Sequence, residues 1–197
     1  MNSLPYILVA YLLGSIPFGL LLSHFAGMGD IRKIGSGNIG ATNVLRTGNK
    51  KIALLTLLFD GLKGYLAVLM VLHYAPSLIY VAGLAAILGH VFPVWLKFKG
   101  GKGVATALGV YLSLNAPLAL MIIFIWSVVA KIWKISSLAA LVALALAPVL
   151  AFLLVVYNVA EYEIVSFSCV ITLLILYTHR ENIKRLFSGQ EGSFKAE

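Results

Sequence analysis

The most informative segment of the sequence is residues 89–106, which read Gly89-His90-Val91-Phe92-Pro93-Val94-Trp95-Leu96-Lys97-Phe98-Lys99-Gly100-Gly101-Lys102-Gly103-Val104-Ala105-Thr106. A long apolar run gives way here to three lysines and three glycines, and then resumes. Glycine allows tight turns and a close approach of the backbone to a ligand. Successive N–H groups in such a turn form an anion-binding concavity, to which Lys102 adds a full positive charge. The segment predicts an anion site between two membrane helices, with a flexible basic turn as the alternative.

Composition places the chain in a membrane. Of its 197 residues, 61% are hydrophobic and the mean hydropathy is +0.99, whereas a soluble domain is roughly 45–50% apolar. In a membrane protein, the net charge of +8 belongs mainly to cytoplasmic loops and does not indicate nucleic-acid binding. The single cysteine, Cys169, excludes an intramolecular disulfide. No repeat divides the sequence, so one helical domain over residues 1–197 is predicted.

Seven apolar segments predict an all-α membrane protein. A spanning helix needs about 20 apolar residues, within a range of roughly 17–25. The segments are Leu4 to about Phe25, Ile52 to about Tyr74, Leu78 to about Leu96, the short Val104–Leu114 and Pro117–Ala130, Leu138–Tyr157 and Ile164–Tyr177. Within the first, Gly14–Gly19 offers small residues for close helix approach and a proline kink at Pro17.

The basic residues support this count. With the N-terminus outside and the C-terminus cytoplasmic, fourteen of the fifteen fall on the cytoplasmic side, and the opposite loops hold no Lys or Arg. The fourteen are Arg32, Lys33, Arg46, Lys50, Lys51, Lys97, Lys99, Lys102, Lys131, Lys134, Arg180, Lys184, Arg185 and Lys195. This asymmetry follows the positive-inside rule. Merging the two short segments into one would move the last basic clusters to the other side of the membrane, so seven crossings are favoured over six. Five crossings would keep the basic residues on the same side only if two other crossings were dropped together.

A second anion site is predicted in the loop at residues 34–46, where three glycines alternate with Ser and Asn. A short helix is expected there, with Asn38 or Thr42 as its N-cap and its end near Gly48. Free N–H groups at a helix N-terminus bind phosphate. Arg46 supplies a planar fork suited to bidentate phosphate contact. An ordinary Gly/Asn-rich turn is the alternative.

Two charges lie within the second predicted span. Asp60 and Lys63 are three residues apart and therefore share a helix face. Each charge at the centre of a span costs roughly 2.5–3.5 kcal/mol on insertion scales. The sequence leaves two explanations open, which are a structural ion pair and direct contact with a substrate.

The C-terminal tail is predicted to continue the last helix and to present His179, Asn182 and Arg185 along one face. His and Asn on that face suit a polar pocket. A basic amphipathic end lying on anionic lipid is the alternative. The predicted topology brings this tail, the loop at 34–46 and the lysine–glycine segment to the cytoplasmic side.

These motifs together resemble the bacterial acyl-phosphate:glycerol-3-phosphate acyltransferases. They are Gly14–Gly19, Ser36–Arg46, Asp60–Gly64, Gly89–Thr106 and His179–Gly189, and they cover essentially the whole chain in order. The resemblance implies a seven-helix enzyme of the bacterial inner membrane with its active site facing the cytoplasm. It implies transfer of a fatty acyl group from acyl phosphate to the 1-hydroxyl of glycerol 3-phosphate, giving lysophosphatidate and inorganic phosphate.

The resemblance also implies which residues handle the phosphates. Catalytic roles fall to Lys102, Arg46, His90, His179 and Asn182. Substrate-binding roles fall to Ser36, Gly37, Asn38, Gly100 and Gly101, and the chemistry of the motifs themselves adds Thr42, Asn43, Lys63, Gly103 and Arg185. No metal or other cofactor is predicted, because no cluster of Asp, Glu, His and Cys has ligand spacing.

As a mechanism, Lys102 and Arg46, with the glycine-loop N–H groups, would counter charge on the leaving phosphate. His90, His179 or an oxygen of the substrate's own phosphate would accept the hydroxyl proton. The rival function is a carrier for an anionic solute. Carriers often show internal repeats and a site near the bilayer midplane, and neither is evident in this sequence. A scaffold for other lipid enzymes would not need the glycine loops.

Overall fold

The computed structural model describes residues 3–193, and within that range it is all-helical. Ten α-helices are present among these residues, joined by turns and short 3-10 segments. The helices are α1 (Leu4–Gly14), α2 (Phe18–Phe25), α3 (Ala41–Leu45), α4 (Lys50–Tyr74), α5 (Ile79–Val91), α6 (Val104–Leu114), α7 (Ala116–Trp133), α8 (Ser136–Val156), α9 (Glu163–Thr178) and α10 (Arg180–Phe187). The 3-10 segments are Ile31–Lys33, Pro76–Leu78 and Val94–Leu96.

The first apolar segment is broken rather than continuous. Proline lacks a backbone N–H and disrupts a helix interior, and Pro17 lies directly before α2, as its N-cap. The predicted kink at Pro17 is thus a full break at residues 15–17. On either side of it, glycine permits close packing, because a Cβ on Gly14 would overlap the backbone of Ala86 and one on Gly19 would overlap the carbonyl of Ile39.

Residues 3–110 form one compact unit, in which α4 and α5 pack on α1. The α1–α5 contact is tight, because a Cβ on Gly89 would overlap the carbonyl of Tyr11. The Tyr11 hydroxyl donates to the carbonyl of Phe92 at 2.7 Å. Further along, Gly64 of α4 lies against the Thr106 carbonyl of α6. These contacts fix both ends of the lysine–glycine segment.

Residues 111–193 form a second compact unit, in which α8 packs between α7 and α9. The Asn115 side chain caps α7 by accepting from the N–H of Leu118 at 3.0 Å. Thr172 of α9 donates to the carbonyl of Leu144 of α8 at 2.7 Å. The predicted single domain over residues 1–197 remains a prediction.

Five described helical segments are long and apolar enough to cross a membrane. They are Leu4–Phe25, Lys50–Tyr74, Pro76–Leu96, Ala116–Trp133 and Ser136–Val156, and α9 with α10 makes a sixth if the bent pair is one span. The segment predicted as Pro117–Ala130 is longer than expected, at 18 residues. Helix α6 has 11 residues, or about 16 Å at 1.5 Å per residue, against a hydrocarbon core of about 30 Å. The count of seven and the orientation therefore stay predictions, and Lys195 lies outside the described residues.

The tail does not continue the last helix, so that prediction was wrong. Helix α10 bends by 64° from α9, and His179 lies at the junction between them. Asn182 is buried, whereas Phe187 at the end of α10 is exposed. His179 is the N-cap of α10 and is buried, as Asn182 is, so the shared face of His179, Asn182 and Arg185 stays a prediction.

Candidate active site

The lysine–glycine loop, residues 97–103, folds back onto the end of α5. The N–H of Gly100 donates to the carbonyl of Val91, and the N–H of Gly101 donates to that of His90, each at 3.0 Å. The loop is entered through Lys97 and Phe98 in the left-handed region, with φ of 51° and 61°. These two glycine N–H groups are therefore bonded within the protein, and the loop holds Lys102 at a defined place beside α5.

Packing explains two of the loop's glycines. A Cβ on Gly100 would overlap the carbonyl of His90 and the ring of Pro93, and a Cβ on Gly101 would overlap Nε2 of His90. The third, Gly103, has φ of +88°, a conformation that L side chains rarely adopt. Lys102 is half-buried between them.

His90 connects this loop to the charges of α4. Its imidazole is 4% exposed, and Nδ1 lies 3.5 Å from Oδ1 of Asp60. Lys63 Nζ lies 2.7 Å from the same Asp60 oxygen, with 1% of the lysine side chain exposed. Lys63 also donates to the carbonyl of Ile16 at 2.7 Å, within the break between α1 and α2. The structural ion pair considered in the sequence is thus present, with His90 as a third member that sequence reasoning missed.

The loop at 34–46 is organised around Asn43, which is 1% exposed. Asn43 Oδ1 accepts from the N–H of Ser36 at 2.9 Å and from its hydroxyl at 3.2 Å. Asn43 Nδ2 donates to the carbonyl of Ile31 at 2.8 Å. The three contacts turn the amide inward, so Asn43 shapes the loop and leaves Ser36 exposed at its surface.

Glycine also brings Arg46 close to this loop. Gly35 has φ of +55°, and a Cβ there would lie 2.6 Å from Oδ1 of Asn43 and 3.1 Å from Cδ of Arg46. Arg46 itself is half-buried, at the C-cap of α3. A short helix with a polar surface loop before it is therefore confirmed.

The predicted N-cap of this helix was wrong. Gly40, not Asn38 or Thr42, precedes α3 as its N-cap. Asn38 instead accepts from the N–H of Gly40 at 2.9 Å through its side chain, and Thr42 lies inside the helix. An Asx-type turn, in which Asn bonds the backbone two residues on, competes with capping at such positions.

In the second unit, Glu191, which follows α10, accepts hydrogen bonds from the predicted tail residues Asn182 and Arg185. Glu191 Oε1 accepts from Ser137 Oγ at 2.7 Å and from Asn182 Nδ2 at 2.6 Å. Its Oε2 accepts from Arg185 Nε at 2.6 Å, and the Glu191 side chain is 4% exposed. His179, at the bend, has Nδ1 2.9 Å from the carbonyl of Ile175. Glu191 lies four residues past the last helix, where no sequence periodicity marks it.

The Glu191 carboxylate is held in its charged form. Burial raises the pKa of Glu191, but hydrogen bonds from Ser137, Asn182 and Arg185, together with the charge of Arg185, outweigh burial and bring this pKa below its ordinary value. The charged Glu191 carboxylate therefore stabilises the fold at pH values above the ordinary glutamate pKa. This stabilisation is lost as the pH falls through the lowered pKa of Glu191 in the folded protein.

Substituting Glu191 is expected to make this stabilisation measurable. Because E191Q cannot carry the charge, we expect it to have a lower Tm than the parent protein at pH 7, with the gap narrowing as the pH falls below the ordinary glutamate value of 4.5. Fluorescence of the three tryptophans in detergent, followed from pH 7 to 3, measures both. The control is E181Q, since Glu181 is 57% exposed. A gap that does not change with pH would contradict the charge-based account.

The described residues place no group of three or more His, Cys, Asp or Glu side chains where they could hold a metal ion. Five to six membrane-length helices, a buried ion pair within them and two glycine-shaped polar loops define the class as a multi-pass integral membrane protein with an organised polar site. Comparison with known proteins then identifies the family.

The chain matches the family model for glycerol-3-phosphate acyltransferase over residues 4–189, and it belongs to that family. It is 54% identical over 186 residues to a glycerol-3-phosphate acyltransferase of Mesorhizobium japonicum, covering 94% of this chain and 93% of that protein. It is 53% identical over 190 residues to one from Sinorhizobium medicae, covering 96% and 91%. The protein is thus an enzyme of the acyltransferase class.

Solved structures agree with this assignment. The fold is similar to the glycerol 3-phosphate form of PlsY (YgiH), an integral membrane glycerol 3-phosphate acyltransferase, with a TM-score of 0.87 and 39% identity. The alignment covers 97% of this chain and 94% of that one. The lysophosphatidic acid form of the same enzyme gives a TM-score of 0.86.

Proposed function

We propose that this enzyme transfers a fatty acyl group from acyl phosphate to the 1-hydroxyl of glycerol 3-phosphate. The products are lysophosphatidate (1-acyl-glycerol 3-phosphate) and inorganic phosphate, which makes this the first committed step of phospholipid synthesis. The observation that carries the proposal is the likeness, over 97% of the chain, to a structure in a glycerol 3-phosphate form. The acyl-phosphate donor follows from the motif resemblance. In this proposal the chain crosses the bacterial inner membrane seven times, with the active site facing the cytoplasm.

The reaction requires little chemistry from the protein. The glycerol hydroxyl oxygen attacks the acyl carbon, the bond from that carbon to the phosphate oxygen breaks, and the phosphate leaves with the electron pair. Acyl phosphate is already an activated mixed anhydride, so positioning two phosphates and a hydroxyl can supply roughly 7–11 kcal/mol of the barrier reduction. Lys102 and Arg46 neutralise charge on the leaving phosphate and the developing oxyanion.

The proposed roles separate substrate contacts from loop supports. Ser36, at the exposed surface of its loop, is a phosphate contact, together with Asn38 and Thr42. Gly37, Asn43, Gly100 and Gly101 support the loops, because their described N–H or amide groups are bonded within the chain. Asn182 and Arg185 bind the substrate's polar end while Glu191 fixes their side chains.

The proton acceptor is His179 or an oxygen of the substrate phosphate. Both ring nitrogens of His90 lie against protein groups, Nδ1 beside Asp60 and Nε2 beside Gly101, so this proposal gives His90 a positioning role. His179 is then the side-chain candidate that the motif resemblance leaves, and its neutral ring carries the lone pair on Nε2 when Nδ1 donates to the Ile175 carbonyl.

Purified enzyme in detergent or lipid, given glycerol 3-phosphate and either palmitoyl phosphate or palmitoyl-CoA, tests the function. We expect lysophosphatidate and free phosphate from palmitoyl phosphate alone, without added metal. Product from the CoA ester alone would overturn the donor. If folded protein binds glycerol 3-phosphate but makes no product from either donor, the transferase is overturned, and anion flux into liposomes then tests the carrier.

A further inference from the structure

We propose that Asp60 is a positioning residue of the acyltransferase site, acting through His90 on the loop that carries Lys102. The inference rests on the proposed function, because it takes Lys102 as the residue that contacts phosphate. It assigns Asp60 and Lys63 a role in aligning the site rather than in binding a substrate.

Stability alone does not explain charges at this place. Asp60 and Lys63 lie in the membrane-length helix α4, with their side chains 3% and 1% exposed. Removing two charges from water costs more than a pair in ordinary geometry returns, and apolar replacements of such pairs are often neutral or stabilising. A pair that only held helices together would serve as well if it were apolar.

The contacts of His90 show what the pair acts on. The ring has two nitrogen atoms on opposite sides, with Nδ1 3.5 Å from Asp60 Oδ1 and Nε2 against Gly101. Asp60 therefore limits how the ring can turn, and the ring sets how closely Gly101 approaches α5. Because Lys102 is the next residue, a displaced ring displaces the lysine.

Lys63 completes the arrangement by holding the Asp60 carboxylate in place. Its ammonium lies 2.7 Å from Asp60 Oδ1 and donates to the Ile16 carbonyl at 2.7 Å. The ammonium also lies 5.7 Å from the centre of the Phe18 ring. The carboxylate that orients His90 is thereby anchored to the break between α1 and α2 as well as to α4.

The test is the doubly neutral variant D60N/K63M, which keeps the side-chain volumes and leaves no unpaired charge. We expect it to fold and to bind glycerol 3-phosphate with nearly unchanged KM, while kcat falls by about 100-fold, the scale of a misplacement of about 1 Å. Parental kcat in the folded double variant would overturn the proposal.

The coupling to His90 distinguishes positioning from general support. If Asp60 acts through His90, the loss caused by D60N/K63M should largely disappear in an H90A background, because the two changes break one linkage. Additive losses in the combined variant would overturn the proposal. H90Q, which keeps a polar group facing Gly101, is expected to recover part of the kcat lost in H90A.

Two controls keep the outcome decisive. D60E leaves the ion pair charged but moves the carboxylate by one methylene, so it gives the same kcat-against-KM readout if the neutral pair does not fold. Parallel assays of the parent enzyme distinguish a failure of the proposed function from a failure of the positioning role. A parent that makes no lysophosphatidate from palmitoyl phosphate contradicts the proposed function, whereas an active parent with an equally active D60E and D60N/K63M contradicts only the positioning role.

Discussion

Replacing Lys102 with alanine is expected to lower kcat/KM on the order of 10³-fold, the effect of losing one preorganised group that stabilises transition-state charge. The loop places Lys102 between two glycines whose positions are fixed by packing and by a positive φ. Removing its ammonium leaves that backbone in place but takes a full positive charge away from the leaving phosphate. Initial rates of phosphate release with palmitoyl phosphate, at several glycerol 3-phosphate concentrations, measure the loss.

K99A is the matched control for K102A. Lys99 belongs to the same loop, but its side chain is exposed, so its removal changes the net charge equally while sparing the site. We expect K99A to keep activity close to that of the parent, and both variants to keep the parental Tm. Parental turnover in K102A would remove Lys102 from the mechanism. If K99A lost as much activity as K102A, the role of Lys102 would be only that of a general surface charge.

Adding one methyl group at Gly101 is expected to cost about 100-fold in kcat, the scale of a misplacement of about 1 Å at a reacting group. A Cβ at residue 101 would lie 2.8 Å from Cε1 and 2.9 Å from Cδ2 of His90, and would overlap Nε2. The ring has little room to retreat, because Asp60 lies on its other side. The loop must therefore lift away from α5 and carry Lys102 with it.

Two companions to G101A identify the cause of this loss. G61A is the matched glycine control, since its Cβ would meet only the Ala105 carbonyl, at an ordinary 3.5 Å, and alanine is favoured over glycine in a helix by about 0.8–1.0 kcal/mol. In an H90A background the space beside Gly101 is open, so G101A should add little further loss. An equally large loss in that background would contradict the steric account.

Features that depend on neighbours along the chain were predictable from the sequence. The membrane helices follow from apolar length, and the glycine loops from composition. The Asp60–Lys63 pair follows from a spacing of three within one helix. The break at Pro17 follows from the missing N–H of proline. Each of these predictions depends on the sequence of a single segment of the chain.

Features that join distant segments were not predictable. His90 is thirty residues from Asp60, on another helix, and nothing in either segment specifies their contact. Glu191 lies beyond the last helix and meets Ser137 and Asn182 only in the folded chain. The bend at His179 and the inward turn of Asn43 likewise depend on tertiary contacts that override the local pattern.

The contact between Lys63 and the Ile16 carbonyl also bears on how the chain enters the bilayer. A hydrocarbon interior offers no water to backbone groups outside a regular helix, and a lone charge in an isolated span costs about 2.5–3.5 kcal/mol at the translocon. Lys63 donates to a carbonyl in the break of the first span, while Asp60 on its own helix balances its charge. We therefore expect the first two spans to enter the bilayer together, because Lys63 of the second span bonds a backbone carbonyl in the break of the first.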